Sequence, residues 1–484
     1  MTMQTEDMKS FWRWIFWLGV VSMLLHGANI GYILHCSEQD GVEYYAGADT
    51  ASYVENSRAM FDARPMSLAF RERIVYPLLL AAVSAAGFEY HQLLWLTVPL
   101  ELPAVLAMAL LGWVLSKRKW VAALGAFIHV VNPNGYLHGA TLLPDWFNGQ
   151  VMLMAIALLM NWAVNGHRKS GLAACVLLPL SQMIRPTLFP VLVPLVLLLG
   201  KGLFVRNRLA INALLCACVI AYPAINTAIN YRLYGVPGML LAPGLQLHHG
   251  HVSYVRAMKR NAEKPDSMTR LYFDEKHNVA LADPREQAVD SYGHNPIRPD
   301  FASNYNDIVK TSRAYLRENS WLWIQAGFSG IHRQLFFPPQ IEPNPSAAPL
   351  YPDLSSLMSK LHVLALFFIF CGVMLSLRQL PFGVTLFYAG YTAIIAMACT
   401  ACWYDNTRVR LLLDLLYTPI LAIGLLSLPA WFCFGSFAVF AYVPRRLFHF
   451  SNTYMTVAST IVLLGSAVFL IRNSGAAKKR ETDS

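Results

Sequence analysis

Five short stretches hold the side chains that could do chemistry. Gly47-Ala48-Asp49-Thr50-Ala51-Ser52-Tyr53 offers a carboxylate with a tyrosine one helical turn beyond it. Arg71-Glu72-Arg73-Ile74-Val75-Tyr76-Pro77-Leu78 offers two arginines, and His138 and Asp145 follow. Arg185-Pro186-Thr187 and Asp405-Asn406-Thr407-Arg408-Val409-Arg410 complete the set. A carboxylate beside a hydroxyl can remove its proton. An arginine fork binds phosphate oxygens bidentately and keeps its charge when partly desolvated. Simpler readings stand beside these: an Asp before an apolar run is a favoured helix cap, which applies to Asp49 and still more to Asp145. Arginines at helix ends also anchor in lipid headgroups, as Arg445 and Arg446 would.

The elements that must position these residues are apolar. Of the 484 residues, 56% are hydrophobic and 14% charged, a balance that makes a bilayer the main solvent. Apolar runs extend over Phe11 to Leu34, Leu93 to Ser116, Val151 to Val164, Thr187 to Leu199 and Leu209 to Ile229. Others follow at His362 to Leu377, Phe382 to Cys402, Leu411 to Leu428 and Val457 to Ile471. Several approach the roughly 20 residues that a spanning helix needs. The first run is too long for a signal-peptide core, and it reads as a retained anchor. The net charge of +10 sits mostly at the ends of these runs, as in Lys117-Arg118-Lys119, Arg168-Lys169 and Lys478-Lys479-Arg480. That pattern marks cytoplasmic helix ends rather than a nucleic-acid groove, so no nucleic-acid partner is expected.

Placing the basic clusters inside predicts an all-α polytopic protein with about 12 transmembrane helices and a cytoplasmic N-terminus. Residues 1–230 form an N-terminal membrane module of about seven spans, with outer loops at 36–90 and 132–148. Ile74 to Phe88 lies along the outer surface, His91 to Ser116 is the second span and Trp120 to about Val131 the third. Residues 231–360 form an outer, mostly soluble insertion of mixed structure. Residues 361–484 form a C-terminal membrane module with a basic cytoplasmic tail, and its span at 430–443 could instead be re-entrant. In this topology Asp49, Tyr53, Arg71, Arg73, His138, Asp145, Arg185, Asp405, Arg408 and Arg410 all gather on the outer face.

Three further features have structural readings. Glu101 lies about ten residues into the second span, where an acid must face protein or water. His248-His249-Gly250-His251 matches no closed zinc spacing and reads as a polar loop. Cys399 and Cys402 have C-x-x-C spacing without partners for zinc, and the eight cysteines otherwise scatter through apolar runs as small hydrophobes.

The ordered set resembles the GT-C type glycosyltransferases, in particular the bacterial branch related to protein mannosyltransferases and aminoarabinose transferases. The order is an acid-then-Tyr motif after the first span (Asp49, Tyr53), a Tyr-Pro-Leu surface helix and an acid in the second outer loop (Asp145). Arg-Pro-Thr and a late Arg-x-Arg (Arg408, Arg410) follow. The chain departs from the family at Asp414, one turn beyond Arg410, which could neutralise it as an i,i+4 pair.

The resemblance implies an inverting enzyme of the cytoplasmic membrane whose site faces the periplasm. It would move a sugar from a polyprenyl-phosphate donor to a saccharide, lipid or protein acceptor. Asp49 would be the general base, while Asp145 would position the acceptor or a divalent cation. Arg408 with Arg185, supported by Arg410, Arg71 and Arg73, would hold the donor phosphate, with Tyr53, His138, Asp405 and Glu101 in support. No cofactor is certain; a divalent cation stays an open alternative, with Asp49 and Asp145 as its ligands. Trp321, Trp323, Tyr292 and Tyr305 could stack on acceptor sugars or build a small core. The rival classes are a polytopic lipid or saccharide flippase or transporter, and a non-catalytic partner in envelope polysaccharide assembly.

Overall fold

The computed structural model describes residues 2–47, 49–62, 66, 73–186, 209–238, 241, 244–245, 247–263, 270–275, 301–327, 351–376, 380, 382–399, 406–437 and 466–470. Among these residues the secondary structure is helical, with no strand. Arg71, Asp405, Tyr292, Cys402 and the Thr187 to Leu199 run lie outside the described residues.

The first apolar run folds as α1 (Thr2–Asp40). Two short helices follow, α2 (Thr50–Phe61) and α3 (Val75–Ala85). A 3₁₀ segment, Tyr90–Leu100, runs directly into α4 (Glu101–Ser116). That helix stops where Lys117 takes a left-handed backbone at φ 57° and its N–H bonds Trp113 O. Next come α5 (Lys119–Val130), α6 (Pro133–Gly139), α7 (Pro144–Asn165) and α8 (Arg168–Ile184). Pro144 opens α7, where its missing N–H costs nothing, and Gly166 closes it at φ 71°. The chain continues with α9 (Leu209–Tyr234), a π-helical turn at Leu247–Val252, α10 (Ser253–Glu263) and α11 (Phe301–Glu318). It goes on through α12 (Tyr351–Ser376), α13 (Phe382–Cys399), α14 (Asn406–Leu425) and α15 (Leu428–Phe437).

Helix α4 packs against α1, α5 and α7; α7 packs on α8, α8 on α9, and α14 closes the bundle against α4, α5, α7 and α12. The main core joins Met108 and Leu111 of α4, Met152 and Trp162 of α7, Leu178 of α8, Tyr391 of α13 and Leu416 of α14. Helices α12 and α14 approach closely at glycines. A Cβ on Gly372 would lie 2.1 Å from Ile420 O, and one on Gly424 would lie 2.0 Å from Phe368 O.

Four helical stretches are long and apolar enough to cross a membrane: Asp7–Asp40, Tyr90–Ser116, Pro144–Asn165 and Leu209–Tyr234. Only 28% of the apolar stretch of α1 is buried against protein, so its Trp14, Trp17 and Leu24 need another apolar medium. The expectation of about 12 spans is therefore met in kind rather than in number among the described residues. Helix α5, expected as a span, has 12 residues and a length of about 18 Å, well short of the roughly 30 Å hydrocarbon layer. Of the expected 430–443 span only the part up to Phe437 is described; it belongs to α15, bent 91° from α14 across a break at residues 426–427, and counting that pair as one crossing makes a fifth.

The insertion was expected to have mixed structure, but its described part is helical with cores of its own. Tyr234, Leu241, Phe301, Tyr305 and Ile308 form one cluster, and Tyr254, Leu271, Tyr272 and Ala326 form another. Tyr305 is thus a core residue, whereas Trp321 is exposed. In the histidine stretch, His248 Nδ1 pairs with Ser312 Oγ at 2.7 Å, and His251 Nδ1 accepts Trp323 Nε1 at 3.3 Å.

Candidate functional site

Two loops that are distant in sequence are joined at one end of the bundle. Leu142 N donates to Tyr45 O at 2.7 Å, and Thr50 Oγ1 donates to Leu142 O at 3.1 Å while accepting Gly47 N at 2.8 Å. Gly47 lies so close to Leu143 that a Cβ there would come within 2.5 Å of Leu143 Cδ1. Asp49 stands at the N-cap position of α2, yet its side chain makes no capping hydrogen bond, so capping does not explain it. Four residues on, the buried Tyr53 packs edge-on against Tyr76 at 5.2 Å, and its hydroxyl accepts Arg73 Nη1 at 3.0 Å. The acid-then-Tyr motif and the Tyr-Pro-Leu helix are therefore one packed unit.

Asp145 occupies the first turn of α7, after an N-cap of Leu143, and is paired with Arg185 at the C-terminal cap of α8. Both side chains are nearly enclosed, and each charge suits the dipole of its own helix end. One turn deeper, Ser181 Oγ donates to Asn148 Oδ1 at 2.8 Å and holds the same two helices together. His138, at the end of α6, is buried. It lines a cavity of about 10 Å³, room for about one water molecule, together with Thr97, Thr141, Leu143 and Trp146. The backbones of Arg408 and Arg410 open α14, which packs beside α4, α5, α6 and α7. Their side chains lie outside the described residues, so a pairing of Arg410 with Asp414 does too.

Glu101 faces protein, at the junction of the 3₁₀ segment with α4. Its Oε2 accepts Ser22 Oγ of α1 at 2.9 Å. Its Oε1 accepts Trp146 Nε1 at 2.8 Å and Gln150 Nε2 at 2.5 Å from α7. Two imidazoles flank the carboxylate, with His26 Nδ1 at 3.9 Å from Oε1 and His129 Nε2 at 3.8 Å from Oε2. The ring of His129 stacks on Trp146 at 5.7 Å and 13°. Sequence reasoning singled out Glu101 but none of these partners. The available signal was His26 and His129 themselves, imidazoles inside apolar runs that are costly without a partner.

The opposite end of the bundle carries basic residues. Lys117 Nζ donates to Asn165 Oδ1 at 2.6 Å, and Lys119 pairs with Asp7. Carboxylates with arginines at one end and lysine-rich turns at the other are thus separated by the length of α4 and α7. Among the described residues no three His, Cys, Asp or Glu side chains converge as a metal site would require. No protein-family model and no curated protein matches the chain.

Proposed function

We propose that the chain is a membrane-embedded glycosyltransferase that moves a sugar from a polyprenyl-phosphate donor to a hydroxyl acceptor, with inversion at the anomeric carbon. The observation that carries this reading is the joining of the Asp49 loop to the Asp145 loop, with Arg73 and Arg185 held beside them. Displacing a lipid phosphate from an anomeric carbon needs a base for the incoming hydroxyl and cations for the charge that develops on the leaving group. Asp49 supplies the base, at the head of α2 in the loop joined to Leu142. Asp145 fixes Arg185, and Arg185 with Arg408 takes the phosphate. The joined-loop end faces the periplasm and the lysine-rich end faces the cytoplasm, following the inward bias of Lys and Arg. The helical region between Tyr234 and Ala326 receives the acceptor.

Transfer of labelled sugar from a panel of polyprenyl-phosphate donors by purified wild type and Asp49→Asn tests this. Turnover by wild type, with a loss of at least about 100-fold in an equally heat-stable variant, is the expected result. Undiminished transfer by Asp49→Asn removes the base assignment. The buried Glu101 with its two imidazoles favours a second reading, proton-coupled transport of a lipid-linked saccharide. Donor binding and translocation without transfer or hydrolysis would select it.

A further inference from the structure

We infer that Glu101, His26 and His129 form a proton-binding site inside the bundle, loaded and unloaded through His26 and Thr97 from the cavity beneath the joined loops. The argument starts from hydrogen positions. Thr97 Oγ1 lies 2.6 Å from Leu94 O, so the hydroxyl hydrogen goes to that carbonyl and the hydroxyl oxygen is left to accept from His26 Nε2 at 3.0 Å. His26 then carries its hydrogen on Nε2, and its Nδ1 lone pair faces Oε1 of Glu101 at 3.9 Å. Two acceptors face one another, and a proton on either one turns the contact from repulsive to attractive.

A second imidazole stands beside the other carboxylate oxygen. His129 Nε2 lies 3.8 Å from Oε2, the imidazole is fully enclosed, and neither of its ring nitrogens has a hydrogen-bond partner among the described residues. Ser22, Trp146 and Gln150 all donate to the carboxylate and so favour its ionised form. A lone buried carboxylate is costly, whereas a carboxylate sharing one proton with an imidazole is a neutral unit. Among the described residues, Tyr136 of α6 is near enough to feel the Glu101 charge, and its hydroxyl donates to Val130 O; α7 presents Trp146 and Gln150.

Thr97, Trp146 and His138 all line the small cavity. Unloading runs from Oε1 of Glu101 to His26 Nδ1, after the ring moves in by about 1 Å to reach hydrogen-bond distance. The Nε2 proton then passes to Thr97 Oγ1, whose own hydrogen turns from Leu94 O to the cavity and leaves to water. One proton is moved and no electrons are.

Trp146 is the built-in reporter, because its indole N–H bonds the carboxylate and its face stacks on His129. Purified full-length protein in lipid nanodiscs is titrated from about pH 4 to about pH 9, following tryptophan fluorescence and the infrared band of a protonated carboxyl. The expected result is one fluorescence step, coincident with a carboxyl band change in wild type, and absent in Glu101→Gln and Trp146→Phe. In a pH jump, Thr97→Val keeps the step but slows it by at least about tenfold, because the relay from His26 is cut. A wild type with no step or no carboxyl change overturns the site, even if the Glu101 variant fails to fold. So does a step that survives in a folded Glu101→Gln. An unchanged rate in Thr97→Val overturns the route.

Discussion

Breaking the Asp145–Arg185 pair tests whether the two helix ends are held by charge or merely by packing. Asp145→Asn keeps the shape of the side chain but leaves the guanidinium of Arg185, only 12% exposed, facing a neutral amide. Removing one partner of a buried pair costs about 3–5 kcal/mol, because the other charge stays desolvated. Loss of the anion in the first turn of α7 adds about 0.3–1 kcal/mol. The retained amide oxygen still accepts a hydrogen bond, so the expected destabilisation is near the lower bound, about 3 kcal/mol. Arg185→Gln should cost a similar amount, and the double variant should cost less than the sum by about 2 kcal/mol. The assay is equilibrium unfolding in mixed micelles of wild type, both single variants and the double variant. Lys119 and Asp7 provide the internal contrast: Asp7 is 71% exposed, so that pair should couple by less than about 1 kcal/mol and fade with salt. A coupling below about 0.5 kcal/mol for Asp145 and Arg185 refutes the reasoning.

The remaining predictions use the same unfolding measurement. Gly372→Ala places a methyl 2.1 Å from Ile420 O, so α12 and α14 must part by about 1 Å at a cost of about 1–3 kcal/mol; an unchanged stability contradicts the close packing. Tyr53→Phe removes the acceptor for Arg73 and should cost about 1 kcal/mol, with a loss below about 0.3 kcal/mol counting against the bond. Burial lowers the pKa of His251 to about 4. Between that value and the unfolded value of about 6.5 the unfolded chain binds more protons, so stability contributed by neutral His251 is complete above pH 6.5 and is lost as pH falls towards 4. His251→Gln, which can still accept from Trp323, should flatten the acid limb of a stability–pH profile, and an identical limb would be the contrary result.

Hydropathy located the long helices because burying an apolar run, in protein or lipid, does not depend on knowing its neighbours. The runs at Phe11, Leu93, Val151 and Leu209 correspond to helices that extend past them by several polar or aromatic residues. Length was the unreadable quantity. Helix α5 ends after 12 residues although its composition suits a span, and the turn from α14 into α15 falls at Leu426 and Ser427, with Gly424 and Pro429 beside it inside a run that otherwise stays apolar. At the candidate site, the sequence expected Asp49, Tyr53, Arg73 and Asp145 on one outer face; the structure shows the Tyr53–Arg73 bond and the joining of the loops before α2 and α7. It did not foresee that Arg185 pairs with Asp145, nor that Glu101 draws on three other helices, because such contacts depend on which faces meet.

The depth of Glu101 bears on the choice between the two functional readings. It is the first residue of α4, and the 15 residue steps to Ser116 at the lysine-rich end span about 23 Å. Glu101 is the twelfth of the 27 residues of the apolar Tyr90–Ser116 stretch, which the 3₁₀ segment continues beyond it. Its partner Trp146 is the third residue of α7, next to Asp145, so the carboxylate lies about one helical turn beneath the joined loops. Transporters that alternate access hold substrate near the midplane, between related halves. A buried acid bonded to Trp146, beside the Asp145–Arg185 pair, would be within a turn of the chemistry that we propose at the joined loops, so proton exchange with that chemistry fits the transferase reading.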